Sequence, residues 1–303
     1  MTSSDCSQLQ LIVTPGCEGY ELLDSGDGRK LERFGTIIVD RPERQALWKQ
    51  KLGREHWGRA HAVFSASDED EEKGRWRVDK PVPDEWPVEV LQARMMCRLQ
   101  GLWHMGLFPE QLPHWIWMRE RIELVKQRGE RPRVLNLFGY TGAASLIAAA
   151  QGAEVTHVDA SKKAIGWAKE NQAASRLDGA TIRWMLDDAT KFVAREVRRG
   201  NTYHVILIDP PKFGRGPKNE TWELFANLPG FLNDCSRLLA PSNSGFVLTV
   251  YAIRASALAF GQLARQMTEG KGGELAVGEL AIQPVRGGNA VPTSLFVRWW
   301  RDG

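Results

Sequence analysis

The run Asp209-Pro210-Pro211-Lys212-Phe213 sets an acid, two residues without a backbone donor, a cation and an aromatic face side by side. Two prolines in succession fix φ and offer no N–H, so the Asp209 carboxylate and the neighbouring carbonyls form a stiff rim that only accepts hydrogen bonds. Such a rim suits an amino or ring N–H group, and Phe213 offers a face to a planar base. A second set lies upstream, where Phe138-Gly139-Tyr140-Thr141-Gly142 is followed by Asp159. A glycine turn with an acid further on can hold a nucleoside, because one carboxylate accepts from two adjacent ribose hydroxyls. A third set, Asp187-Asp188 ahead of Ala189, offers an acceptor for an exocyclic amine or a cap for the next helix.

These residues need strand tips to stand on. Val134, Leu135, Leu137 and Phe138 form a near-continuous apolar run, as in a parallel strand covered on both faces, and Ala143–Ala150 supplies helix formers directly after the turn. Val155–Val158 is a second apolar strand that stops on Asp159. Ser161 is a plausible N-cap for a helix over Lys162–Ala174, and Thr181–Met185 reads as a third strand before Asp187 and Asp188. His204–Ile208 is a further buried strand that runs into Asp209. Alternating strands and helices predict an α/β fold with a doubly wound parallel sheet, in which ligands lie at the carboxyl ends of the strands. The turn lacks G-x-G-x-x-G, the form that lets backbone approach a pyrophosphate. A ligand carrying only an amino-acid carboxylate is held by a looser turn and the positive end of a helix, which favours S-adenosylmethionine over a nicotinamide dinucleotide.

With LNLFGYTG and DPPKF in this order, the chain resembles the class I S-adenosylmethionine-dependent methyltransferases. More narrowly, it resembles the bacterial large-subunit (23S) ribosomal RNA methyltransferases with a DPPKF loop, from about Leu102 to the end. The resemblance implies a Rossmann-like sheet, S-adenosyl-L-methionine as cofactor and RNA as substrate. It implies cofactor contacts at Phe138, Gly139, Tyr140, Thr141, Gly142, Asp159 and one of Asp187 and Asp188, with Asp188 the better match. It also implies catalytic placement of Asp209, Pro210, Pro211 and Phe213. Phe108-Pro109-Glu110-Gln111 looks like the family segment that reaches over the cofactor, which would add Phe108 and Gln111; a plain turn made by Pro109 and Pro113 is the other reading. From Leu112 the chain is either extended or a helix to Gln127.

The closing strands, Glu274–Ile282 and Ser294–Trp300 around R-G-G-N-A-V-P, match the antiparallel hairpin that ends a methyltransferase sheet. Between them and DPPKF lie a basic glycine loop at Gly214–Asn219, a helix over Glu223–Leu239 broken near Pro229, and a buried strand at Gly245–Val250. Lys191, Arg195, Arg198 and Arg199 read as a solvated helix face. The related cytosine-5 enzymes place a cysteine after that strand, where a thiolate can attack carbon 6 of the ring. Here the stretch is Leu248-Thr249-Val250-Tyr251-Ala252-Ile253, and Cys235 falls among leucines of the preceding helix, so a nitrogen acceptor is favoured.

Residues 1–95 read as a small β-rich domain ahead of a methyltransferase domain at 96–303. Y-E-L-L-D-S-G-D-G-R-K-L-E-R-F-G has a turn between two strand-like runs, and Ser67–Lys73 is an acidic stretch. Seven of the 12 tryptophans precede Met118. They either fill the core of this domain and its seam or stack on bases beside Arg54, Arg59, Arg75 and Arg77. The net charge of +3 permits RNA binding without requiring it. Four scattered cysteines argue against zinc or disulfides and fit a reducing cytosol, no apolar run suits a membrane span, and the start lacks a signal-peptide pattern. Other readings left open are a small-molecule or protein methyltransferase, and a catalytically silent RNA-binding protein using the tryptophan-rich half.

Overall fold

The computed structural model describes residues 8–14, 16–67, 73–100, 103–251 and 253–303. Residues 68–72 of the acidic stretch, like residues 1–7, lie outside them. The first strand, β1 (Gln10–Thr14), belongs to the large sheet, and a smaller sheet follows: β2 (Tyr20–Gly26), β3 (Arg29–Phe34), β4 (Ile37–Pro42), β5 (Ala62–Ala66) and β6 (Gly74–Val78), with α1 (Arg54–Trp57) between β4 and β5. The S-G-D-G turn closes the β2–β3 hairpin, with Asp27 and Gly28 both at positive φ, the geometry that keeps two twisted strands together. A two-stranded ribbon, β7 (Trp86–Val90) and β8 (Ala93–Cys97), leads to the second half, which begins with a 3-10 turn at Pro109–Gln111 and α2 (Leu112–Gln127). Thus the helical reading after Leu112 is the one adopted. None of the seven early tryptophans is exposed: Trp86, Trp115 and Trp117 are buried and Trp48, Trp57, Trp76 and Trp103 are half-buried. The burial favours core and seam over a row of exposed stacking rings.

The second half alternates strand and helix: β9 (Arg133–Leu137), α3 (Ala143–Ala150), β10 (Glu154–Asp159), α4 (Lys162–Ala174), β11 (Ile182–Leu186), α5 (Ala189–Arg199) and β12 (Val205–Ile208). A short hairpin, β13 (Phe213–Arg215) and β14 (Thr221–Glu223), precedes α6 (Leu224–Arg237), β15 (Ser244–Tyr251), α7 (Ala257–Met267), β16 (Glu274–Ile282) and β17 (Val291–Arg301). The expected break near Pro229 does not occur. Pro229 sits inside α6, where its fixed φ is already helical, and the helix runs through it despite the missing N–H.

Strand order in the large sheet is β1-β16-β17-β15-β12-β9-β10-β11. Every pair from β15 to β11 is parallel, while β17 runs antiparallel between β15 and β16. This is the doubly wound, Rossmann-like sheet with a closing antiparallel hairpin that the resemblance implies. β1 pairs parallel with β16 at the far edge, so the expected division at residue 95 is crossed by residues 10–14. The order reverses between β9 and β12, and a crevice opens where the two following turns part. The strands there are filled with aliphatic side chains buried on both faces, which makes the sheet a rigid base for the groups at its tips.

Candidate active site

Each acid singled out in the sequence follows a parallel strand, so all stand along one edge of the sheet. Asp159 ends β10, Asp187 and Asp188 follow β11, and Asp209 follows β12. The turn after β9 is tighter than its sequence suggests. Phe138 and Tyr140 take positive φ (58° and 50°), as does Gly142 (86°), whereas Gly139 between them does not. Gly139 is needed for space: a Cβ there would meet His157 Cε1 at 2.4 Å and Asn136 Nδ2 at 2.9 Å. Below it, Asn136 Nδ2 donates to Ser145 Oγ (2.9 Å), and Ser145 Oγ lies 2.9 Å from His157 Nδ1. Burial holds the His157 ring uncharged, with a pKa near 3. This neutral buried network fixes the turn from beneath, and nothing in the sequence motif announced it.

Above the network, Asp159 Oδ2 accepts from the Tyr140 N–H at 2.9 Å and Oδ1 from the Ser161 N–H at 2.8 Å. Both carboxylate oxygens are thereby held at the tip of β10 beside the turn, and burial raises the Asp159 pKa. Thr141 Oγ1 donates to the Gly106 carbonyl (2.6 Å), which draws the 103–111 segment over the turn, and Phe108 packs on Tyr140 with ring centroids 5.6 Å apart. The cavity so enclosed is lined by Phe108, Gln111, Gly139, Tyr140, Ala143 and Asp209, among others. Ala143 and Ala144 begin α3, whose N-cap Gly142 has no side chain to satisfy the first N–H groups. An amino-acid carboxylate fits those donors, a ribose fits Asp159 and an aromatic base fits the Phe108–Tyr140 side. The residues present therefore suit S-adenosylmethionine.

Asp187 and Asp188 are otherwise engaged. Asp188 Oδ1 accepts from the Lys191 N–H at 2.9 Å and caps α5, while Asp187 pairs with Arg195 and accepts from the Asp188 N–H at 2.9 Å. Like Asp159, neither lines the cavity, and on the solvent-facing side of α5 Arg195 and Lys191 pair with Asp187 and Glu220.

Asp209 stands opposite the cofactor turn. Gln111 Nε2 donates to its Oδ2 at 3.2 Å, and Thr249 Oγ1 on β15 donates to Gln111 Oε1 at 3.2 Å. Burial, with the Glu110 carboxylate nearby, raises the Asp209 pKa to about 7. Glu110 is itself raised by burial and offset by Lys30 and Arg41 of the small sheet, where Arg41 grips Glu32 through Nε and Nη2 (2.7 and 2.8 Å) and donates from Nη1 to the Trp103 carbonyl (3.0 Å). The small sheet thus sets charge close to Asp209.

Pro210 is buried and Pro211 exposed. Trp222, which the sequence did not single out, anchors this rim. Its indole Nε1 donates to the Pro211 carbonyl at 2.7 Å, and its ring packs on Phe138 (5.0 Å) and Phe231 (5.3 Å). The Leu224 N–H closes on the Lys212 carbonyl at 3.0 Å. The basic loop is consequently the tip of the β13–β14 hairpin, and Phe213 is left 61% exposed beside Lys212. Cys235 is buried and its thiol is pushed far up by burial, which leaves it inert packing.

Comparison with known proteins agrees with this fold. A structure of the SAM-dependent methyltransferase from Agrobacterium tumefaciens is 46% identical, with TM-score 0.92 over 97% of this chain and 94% of its own. The chain belongs to the S-adenosylmethionine-dependent methyltransferases. The family model described as conserved hypothetical protein 95 matches residues 117–233 of this methyltransferase. Ribosomal RNA large subunit methyltransferase K/L of Shewanella frigidimarina is 35% identical over 165 residues, and that of Hahella chejuensis 34% over 156. These matches cover 52% and 51% of the methyltransferase but only 22% and 20% of the relatives. A Streptococcus mutans structure at 16% identity and TM-score 0.69 shares the fold alone. No helix among the described residues is long and apolar enough to cross a membrane, and they contain no cluster of three metal-ligating groups.

Proposed function

We propose that this methyltransferase transfers a methyl group to a nitrogen of an RNA base, with ribosomal RNA the substrate suggested by the names of its relatives. The observation that carries the reading is the Asp209 rim beside an outward-facing ring. Gln111 Nε2 holds Asp209 Oδ2 and leaves Oδ1 for a ligand, and Phe213, four residues on, is exposed with the Lys212 ammonium 5.4 Å from its ring centre, where a stacking base would displace it. A flat base laid on Phe213 would bring an edge N–H or amine to Asp209 and the carbonyls beside it. Lys212, Arg215 and Lys218, all exposed on the same hairpin, suit phosphate contact.

S-adenosylmethionine supplies an electrophilic methyl on sulfur. Asp159, Phe138, Gly139, Tyr140, Thr141 and Gly142 would hold it, with Phe108 closing over one side. Asp209, partly in its carboxylate form at neutral pH, orients the acceptor nitrogen and takes its proton where it has one. Carbon-5 methylation needs a nucleophile at carbon 6, and the only cysteines among the described residues are half-buried Cys17 and buried Cys97 and Cys235. Residues 96–303 are assigned the catalytic unit and residues 1–95 a β-rich support, acting in the cytoplasm where ribosomal RNA is found. The test is incubation of the chain with methyl-labelled S-adenosylmethionine and separate RNA, protein and metabolite fractions. Label in RNA supports the reading; label confined to protein or metabolites overturns it.

A further inference from the structure

Gln111 looks like a cofactor contact by its place in the 103–111 segment, but its amide is committed elsewhere. It bridges Thr249 at the carboxyl end of β15 and Asp209 at that of β12, two neighbouring strands. A primary amide has a donor end and an acceptor end, and either can face a neighbour unless something fixes it. The Asp209 carboxylate only accepts, so the amide turns its N–H toward Oδ2, and the Thr249 hydroxyl, donating to Oε1, holds it in that direction. Had the amide been reversed, Oε1 would face the carboxylate and repel it. With Oδ2 held by Nε2, Oδ1 is the oxygen left for a ligand.

We propose that Thr249 and Gln111 are positioning residues for Asp209: the Thr249 hydroxyl fixes the Gln111 amide, and that amide holds one Asp209 oxygen so that the other meets the acceptor nitrogen. This rests on Asp209 being the group that meets substrate. The groups facing Asp209 define its charge. Glu110 lies in the same 3-10 turn as Gln111 and pushes the Asp209 pKa up, while Lys30 and Arg41 offset Glu110 from β3 and β4. His114, one turn along α2, lines the same cavity, and burial with the Arg298 guanidinium keeps it uncharged. Against that background, a donor to the carboxylate favours the ionised form, and its loss moves titration upward.

The test uses the full chain with an RNA substrate and the variants Thr249→Val, Thr249→Ser, Gln111→Leu and Asp209→Asn. Thermal unfolding confirms that each is folded. Thr249→Val and Gln111→Leu are expected to lower kcat by roughly 10-fold, the scale of one hydrogen bond to a charged group. Cofactor affinity, read with S-adenosylhomocysteine, should stay within about 2-fold, because only the step after binding is touched. The basic shift of the kcat limb assigned to Asp209 is the signature that mere structural loosening would not give. Thr249→Ser keeps the hydroxyl and returns both kcat and the limb to the wild-type values. The proposal is overturned if Thr249→Val and Gln111→Leu leave kcat and the limb in place while Asp209→Asn abolishes turnover. Weakened cofactor binding at unchanged kcat would equally overturn it, by making Gln111 a cofactor ligand. Turnover retained in Asp209→Asn removes Asp209 from the mechanism, a separate failure that strikes the functional reading.

Discussion

Replacing Gly139 with alanine tests the claim that this glycine serves closeness rather than backbone freedom. Its φ lies outside the left-handed region, so alanine is at ease there as far as the backbone goes. The added methyl, however, would sit 2.4 Å from His157 Cε1, 2.6 Å from Nδ1 and 2.9 Å from Asn136 Nδ2. Neither neighbour can swing away: His157 is wholly buried, engaged with Ser145 and packed 4.6 Å from the Trp184 ring, and Asn136 is held by the same serine. The turn itself must lift by about an ångström, a form of overpacking that costs about 1–3 kcal/mol. Because the Tyr140 N–H that orients Asp159 belongs to that turn, the displacement also loosens the ribose acceptor. Calorimetric titration with S-adenosylhomocysteine should show affinity falling by about 10-fold or more, the equivalent of one hydrogen bond to a charged group. Removing the ring as well, in Gly139→Ala/His157→Ala, should recover part of the loss, with a coupling of at least about 1 kcal/mol in unfolding free energy. An alanine variant as stable and as tight-binding as wild type, or additive losses in the double variant, would refute the steric reasoning.

Four further outcomes are expected. Asp159→Ala, which strips the acceptor from the Tyr140 and Ser161 amides, should weaken S-adenosylhomocysteine binding by about 10- to 100-fold in the same titration. Trp222→Phe keeps the packing but leaves the Pro211 carbonyl unpaired; a fall in kcat larger than any change in cofactor affinity is expected, and equal effects on both would place Trp222 in the cofactor site instead. Phe213→Ala should weaken RNA binding by about 1–3 kcal/mol in a filter or fluorescence assay without touching cofactor affinity. Asp209 gives a pH signature: its folded pKa of about 7 exceeds its ordinary 3.8, so its contribution to stability is fully present below the lower value and lost as pH rises through the upper. Wild type should therefore lose thermal stability between about pH 4 and pH 7, on the order of the interval the two values span, more than Asp209→Asn does, and parallel profiles would contradict this.

What the sequence made legible follows from where its signals are local. Apolar runs that end on an acid mark buried strands and their tips, so β9, β10 and β12 and the residues Asp159 and Asp209 could be placed from the chain alone. The S-G-D-G hairpin was legible for the same reason, since φ > 0 at adjacent positions has a residue signature. Contacts between distant segments leave no such mark. Trp222 reads as one tryptophan among many until its indole is seen on the Pro211 carbonyl, and the bridge that Gln111 makes from Thr249 to Asp209 leaves no local mark. A glycine turn does not announce where its unusual backbone lies: positive φ falls on Phe138, Tyr140 and Gly142 and not on Gly139. Asp188 was ambiguous between a base contact and a cap, because one carboxylate type serves both, and the structure gives its oxygen to the Lys191 amide. β1 joins a strand far along the chain, a pairing that no local pattern encodes.

The most direct measurement is nucleoside mass spectrometry of RNA incubated with trideuteromethyl-labelled S-adenosylmethionine and either wild-type protein or Asp209→Ala. The account predicts a heavy methyl on a base nitrogen with wild type and its loss with Asp209→Ala, the variant still binding S-adenosylhomocysteine. A heavy methyl on ribose or on ring carbon, or the same yield from both proteins, would contradict it.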